Sequence, residues 1–311
     1  MHRLAVFILA VLADALVGEP PTSLHPTAWV GQAASVLEGI GRKLPARGQL
    51  LLGALVALAL PLAVGLSARK TLRLLRRTPC IGMIVEAALF KSSFAVRALL
   101  GEAEGLACLL REGELERARI KARSLVSRDT THLDEAHLVS AGLESLAENT
   151  TDAFLAPWLY YLMWGTEGAL VYRTINTLDA MWGYHGPYEF WGKGAARLDD
   201  LANLIPARLG AFLLALASGK LRQAITIALA QHARTESPNA GWTMAALAGA
   251  LGVELEKVGH YRLGLPRRAL APSLLDEGIA VVRRVAALGA ALMTVLLWAK
   301  GWFGREKGRS S

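Results

Sequence analysis

The segment "LLLGALVALALPLAVGLSA", residues 50–68, decides the fold because it is a long run without a charged residue. A helix needs about 20 predominantly apolar residues to cross the hydrocarbon core of a bilayer. The basic sequence "RKTLRLLRR" follows at residues 69–77, and Lys and Arg are enriched on the cytoplasmic side of membranes. The segment therefore predicts a spanning helix whose carboxyl end faces the cytoplasm. An anchor to lipid headgroups is sufficient to explain these basic residues. The excess positive charge could also attract anionic substrates, and composition does not separate the two.

Other apolar runs point the same way. The chain has 311 residues, of which 53% are hydrophobic, and its net charge is +8. A second charge-free run covers residues 285–299, and three weaker runs cover 4–13, 153–166 and 209–219, each needing tilt, a polar neighbour or re-entrant geometry. Run 4–13 lacks a small-x-small cleavage site, so we expect it to be retained. The sequence predicts an all-α, polytopic helical membrane protein with four to five membrane segments.

Two polar regions, about 69–152 and 220–278, separate these runs. Apolar residues in the first recur every three or four positions, as on amphipathic helices, and nothing alternates convincingly with period two. Pro and Gly punctuate predicted loops at 18–26 and 183–190. Without repeats or long linkers, the sequence predicts one helical membrane domain over 1–311. Its two cysteines, Cys80 and Cys108, provide neither a disulfide framework nor a thiolate metal site.

An acidic row runs directly into the apolar segment 153–166. Glu144, Glu148 and Asp152 are spaced by four, which places them on one stripe of a helix. Like charges at this spacing repel, and more strongly near hydrocarbon. We therefore expect arginines, a divalent metal or both to compensate them. The alternative is a solvated helix face that ends at the membrane surface.

A second polar cluster also borders apolar sequence. Its acids and amides are Asn176, Asp179, Asp199, Asp200 and Asn203, flanked by Arg197 and Arg208. Oxygen ligands of this kind suit Mg²⁺, which typically takes one or two carboxylates and shares its other positions with water and phosphates. The alternative is a salt-bridge network between the aspartates and the arginines.

Three shorter motifs could belong to a binding site, but each could also be a turn or a helix cap. Arg128 stands beside Asp129, and His25 follows the first apolar run. Ser237 and Asn239 lie in a turn of small residues whose backbone amides could approach an anion. "GPYEFWGKG" lacks the spacing of a phosphate loop, and "HLDEAH" lacks that of a zinc protease.

Taken together, these blocks resemble the membrane-bound adenosylcobinamide-phosphate synthase family of cobalamin (vitamin B12) biosynthesis. The resemblance covers nearly the whole chain in the family's order, in blocks that include "LADALVGEPPTSLHPTAWVG", "ESLAENTTDAFLAPW", "YRTINTLDAMWGY" and "GAARLDDLANLIPARL". "SLVSRDTTHLDEAHL" and residues 237–264 complete the set. Phe154, Leu155 and Trp182 depart from the expected pattern at positions that concern packing more than chemistry.

The resemblance implies an ATP-dependent carboxylate–amine ligase. It would attach aminopropanol or its O-phosphate to a propionate carboxyl of adenosylcobyric acid, with Mg²⁺. Residues expected to act in catalysis are Glu148, Asp152, Asp199, Asp200 and Arg197. Residues expected to bind substrates are His25, Arg128, Asn149, Asn176, Asp179, Tyr184, Asn203, Arg208, Ser237 and Asn239. Candidate metal ligands are Glu144, Glu148, Asp152 and Asp199, and Tyr184, Trp182 and Trp191 could form an apolar wall for the corrin ring.

The resemblance also implies a multi-pass protein of the cell (inner) membrane with a cytoplasmic active site. Its expected partners are the corrinoid, the amine and membrane lipid, without nucleic acid; association with other enzymes of the pathway is left open. If all five apolar runs crossed fully, residues 18–49 and 173–203 would lie outside, away from ATP. Either runs such as 153–166 and 209–219 are re-entrant, or the charge rule places residue 69 onward on the wrong side. A membrane transporter and a non-catalytic membrane regulator are the alternative functions.

Overall fold

The computed structural model describes residues 1–75, 77–184, 186 and 188–307, with side chains up to residue 302. Arg76 of the basic cluster, and His185 and Pro187 of the predicted loop, lie outside the described residues. The structure is 77% helical, which confirms the all-α prediction.

Thirteen α-helices are assigned along the described residues. They are α1 His2–Leu16, α2 Pro26–Gly41, α3 Ala46–Leu75, α4 Pro79–Lys91, α5 Val96–Arg111, α6 Leu115–Ala122, α7 Glu135–Thr150, α8 Ala156–Trp164, α9 Thr166–Trp182, α10 Lys193–Ala217, α11 Leu221–Gln231, α12 Ala240–Leu251 and α13 Pro272–Lys307. Short 3₁₀ turns occupy Thr22–Leu24 and His232–Arg234, and a π-helical turn occupies Thr151–Leu155. Strands β1 Glu254–Lys257 and β2 Tyr261–Gly264 form an antiparallel hairpin.

Four helical stretches are long and apolar enough to cross a membrane, which indicates a membrane protein. They are Ala46–Leu75, Pro79–Arg111, Lys193–Ala217 and Pro272–Trp302. The first and last contain the charge-free runs at 50–68 and 285–299, and the third extends most of the run at 209–219 into a longer helix. The stretch Pro79–Arg111, which the structure breaks at residues 92–95 between α4 and α5, lies within the region that the sequence analysis describes as polar, where charged residues such as Glu86 and Lys91 interrupt the apolar sequence.

The run at 153–166 does not form one long helix. It is divided between the π-helical turn, the nine-residue α8 and the start of α9, with Gly165 at φ +80° between the two helices. Pro157 explains the π turn, because proline lacks an N–H and its ring clashes with the carbonyl four residues earlier, that of Ala153. Asp152 lies in this turn, so the α-helical stripe predicted from Glu144 ends after Glu148.

By its contacts the chain divides into two compact units. Unit 1 comprises residues 1–95, 156–202 and 290–311, and unit 2 comprises 96–155 and 203–289. The core of unit 1 includes Trp182 and Trp191, which pack edge to face at 5.2 Å, and Phe90 stacked on Tyr161 at 3.9 Å. That the whole chain is one domain stays a prediction.

Unit 2 is built around α7 and α12. Every residue of α7 from Leu138 to Ala147 is buried. Gly142 allows a close approach there, since a Cβ at this position would lie 2.7 Å from the Leu275 side chain. The β-hairpin was missed by the sequence analysis because its strands have only four residues each. Leu255 and Leu263 face each other across it and are fully buried, while charged residues flank them.

Candidate functional site

Glu144, on α7 in unit 2, is a buried carboxylate held by three donors. Its Oε1 accepts hydrogen bonds from the Ser140 hydroxyl at 2.7 Å and from Arg128 Nη2 at 3.0 Å. Its Oε2 accepts one from the Tyr261 hydroxyl at 2.7 Å. The expectation that an arginine compensates the acidic row is therefore confirmed for Glu144. With both oxygens engaged, these contacts favour a positioning role over direct metal coordination, for which Glu144 stays a prediction.

Tyr261 is a hydrogen-bond donor at neutral pH. Burial, and then the neighbouring Glu144 charge, raise the pKa of its phenol well above the ordinary value, and Glu148 adds to this effect. The hydroxyl therefore stays protonated. Tyr261 and Ser140 are contributors that the sequence reasoning missed, since Tyr261 meets Glu144 only because the hairpin lies against α7.

The next acids of the row are more accessible than Glu144. Glu148 is exposed on the last turn of α7, and Asp152 is half-buried in the π-helical turn. Asn149 lies between them and donates to the Ser145 carbonyl at 2.9 Å, one turn back along α7. π-helical turns occur frequently at functional sites. Glu148 and Asp152 thus offer ligand-accessible carboxylates beside a buried, neutralised one.

Arg208 joins two sequence blocks within unit 2. Its Nη1 donates to the Leu204 carbonyl at 2.6 Å and to Asn239 Oδ1 at 3.2 Å. The Ser237 hydroxyl oxygen accepts hydrogen bonds from the backbone N–H groups of Asn239 and Ala240, at 3.2 and 3.4 Å. The predicted residues Arg208, Ser237 and Asn239 therefore lie together at the beginning of α12, where backbone N–H groups favour anions. Asn203 is also in unit 2 and is buried on α10.

Of the second polar cluster, Asn176, Asp179, Arg197, Asp199 and Asp200 belong to unit 1 and lie on α9 and α10. Asn176 Nδ2 donates to Asp199 Oδ1 at 3.4 Å, and its Oδ1 accepts from Arg173 Nη1 at 3.3 Å. Asp199 is buried, whereas Arg197 is 74% exposed and lies 3.5 Å from Asp200. The Arg197–Asp200 contact therefore has the character of a surface pair, in keeping with the alternative interpretation of this cluster as a salt-bridge network.

Asp179 lies near the end of α9, close to Gly183. A Cβ on Gly183 would lie 2.2 Å from Asp179 Oδ1, so glycine permits the close approach of the chain that follows the helix. Tyr184, just beyond, is 48% exposed and is available to a ligand. Trp182 and Trp191, in contrast, are fully buried in the core of unit 1. This corrects the suggestion that they form a wall for the corrin ring, since neither indole presents a surface.

His25 belongs to a partly buried ionic network in unit 1. Its Nε2 lies 3.0 Å from Glu19, and its Nδ1 accepts the Thr27 backbone N–H at 3.2 Å. Lys91 Nζ contacts Glu19 at 2.6 Å and Asp14 at 3.0 Å. Burial alone would raise the pKa of Glu19, but the hydrogen bonds from His25 and Lys91 outweigh it and hold that pKa below its ordinary value. The sequence analysis did not identify Lys91 and Asp14. Each is a single charged residue beside or within apolar sequence, and that feature could have indicated a buried ion pair.

The residues assigned to metal and catalysis are divided between the two units. Glu148 and Asp152 belong to unit 2, and Asp179 and Asp199 belong to unit 1. Within the part of the chain that the structure describes, no three His, Cys, Asp or Glu side chains are placed to hold a metal ion together. A Mg²⁺ site of one or two carboxylates completed by substrate phosphates needs no such group. The shared site and its metal stay predictions.

Comparison with known proteins provides an independent line of evidence. The family model described as "CobD/Cbib protein" matches residues 7–288. A cobalamin biosynthesis protein CobD from Dehalococcoides mccartyi is 40% identical over 91% of this chain and 93% of its own. A probable cobalamin biosynthesis protein CobD from Methanocaldococcus jannaschii is 38% identical over 83% of this chain and 87% of its own.

A further probable CobD, from Thermococcus kodakarensis, is 40% identical over 84% of this chain and 85% of its own. No solved structure matches the chain. The matched range contains every residue to which the sequence analysis assigns a role. With relatives at this identity across most of both chains, the protein belongs to the CobD/Cbib family.

Proposed function

We propose that this protein is an amide ligase of cobalamin biosynthesis. It joins aminopropanol or its O-phosphate to a propionate carboxyl of adenosylcobyric acid and consumes ATP. The observation that carries the proposal is the family match over residues 7–288, together with relatives named cobalamin biosynthesis proteins. The polar clusters of both units supply residue types that this chemistry requires.

The chemistry requires activation of a carboxylate. Condensing a carboxylate with an ammonium group is uphill in water at neutral pH. In our proposal a carboxylate oxygen of the corrinoid attacks the γ-phosphorus of ATP, which releases ADP and leaves an acyl phosphate. The amine, after losing a proton to a protein base, attacks the acyl carbon, and inorganic phosphate leaves. Cations stabilise the transferred phosphoryl group, and water must be excluded from the activated acyl group.

Residues of unit 2 suit the phosphate and base roles. Arg208 is held near the beginning of α12 by Asn239, and its guanidinium is our proposed contact for an anionic phosphate. Glu148 is an exposed carboxylate and is our proposed general base for the incoming ammonium. Asp152, one turn further along the chain, is the alternative base.

Mg²⁺ fits the carboxylates of both units by ligand chemistry. Glu148, Asp152, Asp199 and Asp200 supply hard oxygen atoms, and Mg²⁺ is commonly held by one or two carboxylates together with substrate phosphates. When bound, the ion would neutralise phosphate charge. Asn149, Asn176 and Asn203 are proposed to orient substrate amides or water.

The proposed setting is the cell (inner) membrane, with chemistry on the cytoplasmic side. Four candidate spanning helices give the protein its membrane character. The corrinoid would rest near apolar surface while ATP approaches from water. His25, Asp179 and Tyr184 are proposed to contact the substrates. Lipid is expected around the spanning helices, and association with other enzymes of the pathway is left open.

A single assay tests the proposal. Purified protein in detergent is incubated with adenosylcobyric acid and Mg-ATP, and with either aminopropanol or its O-phosphate, and the products are analysed by mass. We expect the mass of adenosylcobinamide or its phosphate only when ATP and amine are both present. Corrinoid binding without any ATP-dependent product would favour a transporter. Absence of both would favour a non-catalytic regulator.

A further inference from the structure

The side chain of Arg128 combines a fixed position with unused hydrogen-bonding capacity. It lies in the loop between α6 and α7 and is only 16% exposed. Nη2 donates to Glu144 Oε1 at 3.0 Å, whereas the buried Nε has no hydrogen-bond partner among the described residues. A buried donor without a partner is unfavourable and calls for an explanation. A ligand oxygen at this edge of the guanidinium provides one.

Glu144, which holds Arg128, is itself fixed by two different elements. Ser140 reaches it from one turn earlier on α7, and the Ser140 hydroxyl oxygen also accepts the Glu256 backbone N–H of β1 at 2.8 Å. Tyr261 reaches the other carboxylate oxygen from β2 at 2.7 Å. The hairpin therefore controls the orientation of the Glu144 carboxylate through one hydroxyl and one backbone contact.

The two oxygens of the Glu144 carboxylate accept from different donors, and this difference affects how Arg128 binds. An unrestrained carboxylate and a guanidinium tend to pair through two parallel hydrogen bonds, which uses one full edge of the arginine. Here Tyr261 donates to Oε2, and Arg128 contacts only Oε1, through Nη2 alone, so the pair is not bidentate. The Nε–H of the guanidinium is therefore not used by Glu144.

We propose that Tyr261, acting through Glu144, is a positioning residue that presents Arg128 to an anionic oxygen group of a substrate. The group recognised is a phosphate or a carboxylate. ATP, aminopropanol O-phosphate and adenosylcobyric acid each carry one. The inference rests on the proposed function for the identity of these ligands, but the Tyr261, Glu144 and Arg128 geometry stands apart from the reaction.

The test replaces Tyr261 by Phe and measures kcat and KM for each of the three anionic substrates in turn. Loss of the hydroxyl should raise the KM of one of them about tenfold, the effect of weakening one hydrogen bond to a charged group, while kcat changes less. Arg128→Lys should raise the KM of the same substrate at least as much. Tyr161→Phe is the matched control, since it also removes a buried hydroxyl, one that donates to the Arg3 carbonyl, and should leave all three KM values unchanged.

Equilibrium binding separates this inference from the proposed function. Adenosylcobyric acid, whose absorbance reports binding, and radiolabelled ATP and aminopropanol phosphate are titrated separately into the intact protein. If the wild type makes no amide but Tyr261→Phe and Arg128→Lys weaken binding of one anion about tenfold, the positioning role stands and the proposed reaction falls.

The opposite result overturns the inference. In that case the wild type makes the amide, and Tyr261→Phe has the same KM and dissociation constant as the wild type for every substrate. A lower unfolding temperature of Tyr261→Phe would not change this conclusion. Glu144→Gln provides a second route if Tyr261→Phe does not fold, since the amide has nearly the same shape and keeps one acceptor oxygen but loses its charge attraction for Arg128. Unchanged binding of all three anions in that variant would equally overturn the role.

Discussion

The guanidinium of Arg208 lies over the indole of Trp242, with its central carbon 4.9 Å from the ring centroid. His232 also stacks on Trp242, at 3.9 Å between ring centroids. Arg208 therefore has its plane fixed by an aromatic ring while Asn239 and the Leu204 carbonyl hold one of its nitrogens. A fixed guanidinium beside a helix beginning is suited to bind a phosphate in one orientation.

Replacing Arg208 by Lys should lower kcat/KM for the phosphate-bearing substrates by about tenfold to a hundredfold. Lysine keeps the charge but loses the planar fork and the stacking on Trp242. Steady-state assays with varied ATP and aminopropanol phosphate measure the change. Arg222→Lys, an exposed arginine of α11, is the control and should behave like the wild type. An Arg208→Lys enzyme with wild-type kcat/KM for both substrates would remove Arg208 from the phosphate site.

Replacing Glu148 by Gln should abolish amide formation while the protein folds and inserts normally. A general base contributes roughly 10²- to 10⁴-fold to a rate, and Gln cannot accept the proton. Product mass, circular dichroism and membrane fractionation together measure the outcome. Glu135→Gln changes another exposed glutamate of α7 and should retain full activity. Full activity of Glu148→Gln would refute the role assigned to Glu148.

Replacing Lys91 by Met should destabilise the protein by about 3–5 kcal/mol, because Asp14 and Glu19 lose their buried cation. Chemical unfolding of the detergent-solubilised protein measures the loss. The control is Lys121→Met, which breaks the more exposed pair with Glu102 and should cost at most about 1 kcal/mol. If the two substitutions lowered the free energy of unfolding equally, burial of the Lys91 ion pairs would not increase their contribution to stability.

The Glu19 carboxylate should make stability depend on pH in the acidic range. Its pKa is lower in the folded protein than its ordinary value of 4.5, so the folded state binds the proton less readily than the unfolded state. The stabilisation is therefore present above pH 4.5 and is lost as pH falls through the folded value. The unfolding temperature of Glu19→Gln, measured from pH 7 to pH 3.5, should fall less steeply than that of the wild type. Parallel curves would contradict this.

The candidate spanning helices Ala46–Leu75 and Pro272–Trp302 could be predicted from sequence because each contains a long charge-free run. The stretch Pro79–Arg111 could not, because Lys91 breaks the apolar pattern. Its charge is tolerated only because Asp14 and Glu19, more than 70 positions earlier, meet it in the fold. The hairpin was too short to show a period, and it carries Tyr261.

Part of the candidate site could likewise be predicted from the sequence, and part could not. The repulsion within the acidic row correctly indicated an arginine for Glu144, and Arg128 provides it. The pattern could not show that Pro157 would place Asp152 in a π-helical turn. Nor could composition distinguish Trp182 and Trp191, which fill a core, from Tyr184, which faces outward. Whether a side chain is buried depends on contacts between segments that are distant in the sequence. The spacing of residues along the chain does not reveal these contacts.

The most direct test of ATP-driven carboxylate activation follows an oxygen isotope. Adenosylcobyric acid labelled with ¹⁸O in its free propionate carboxyl is converted with ATP and the amine, and the released phosphate is analysed by mass. Through an acyl phosphate, one carboxyl oxygen leaves with the phosphate, so we expect one ¹⁸O atom per inorganic phosphate and one per amide product. Product formed without ATP, or unlabelled phosphate accompanying labelled AMP, would contradict the proposed reaction.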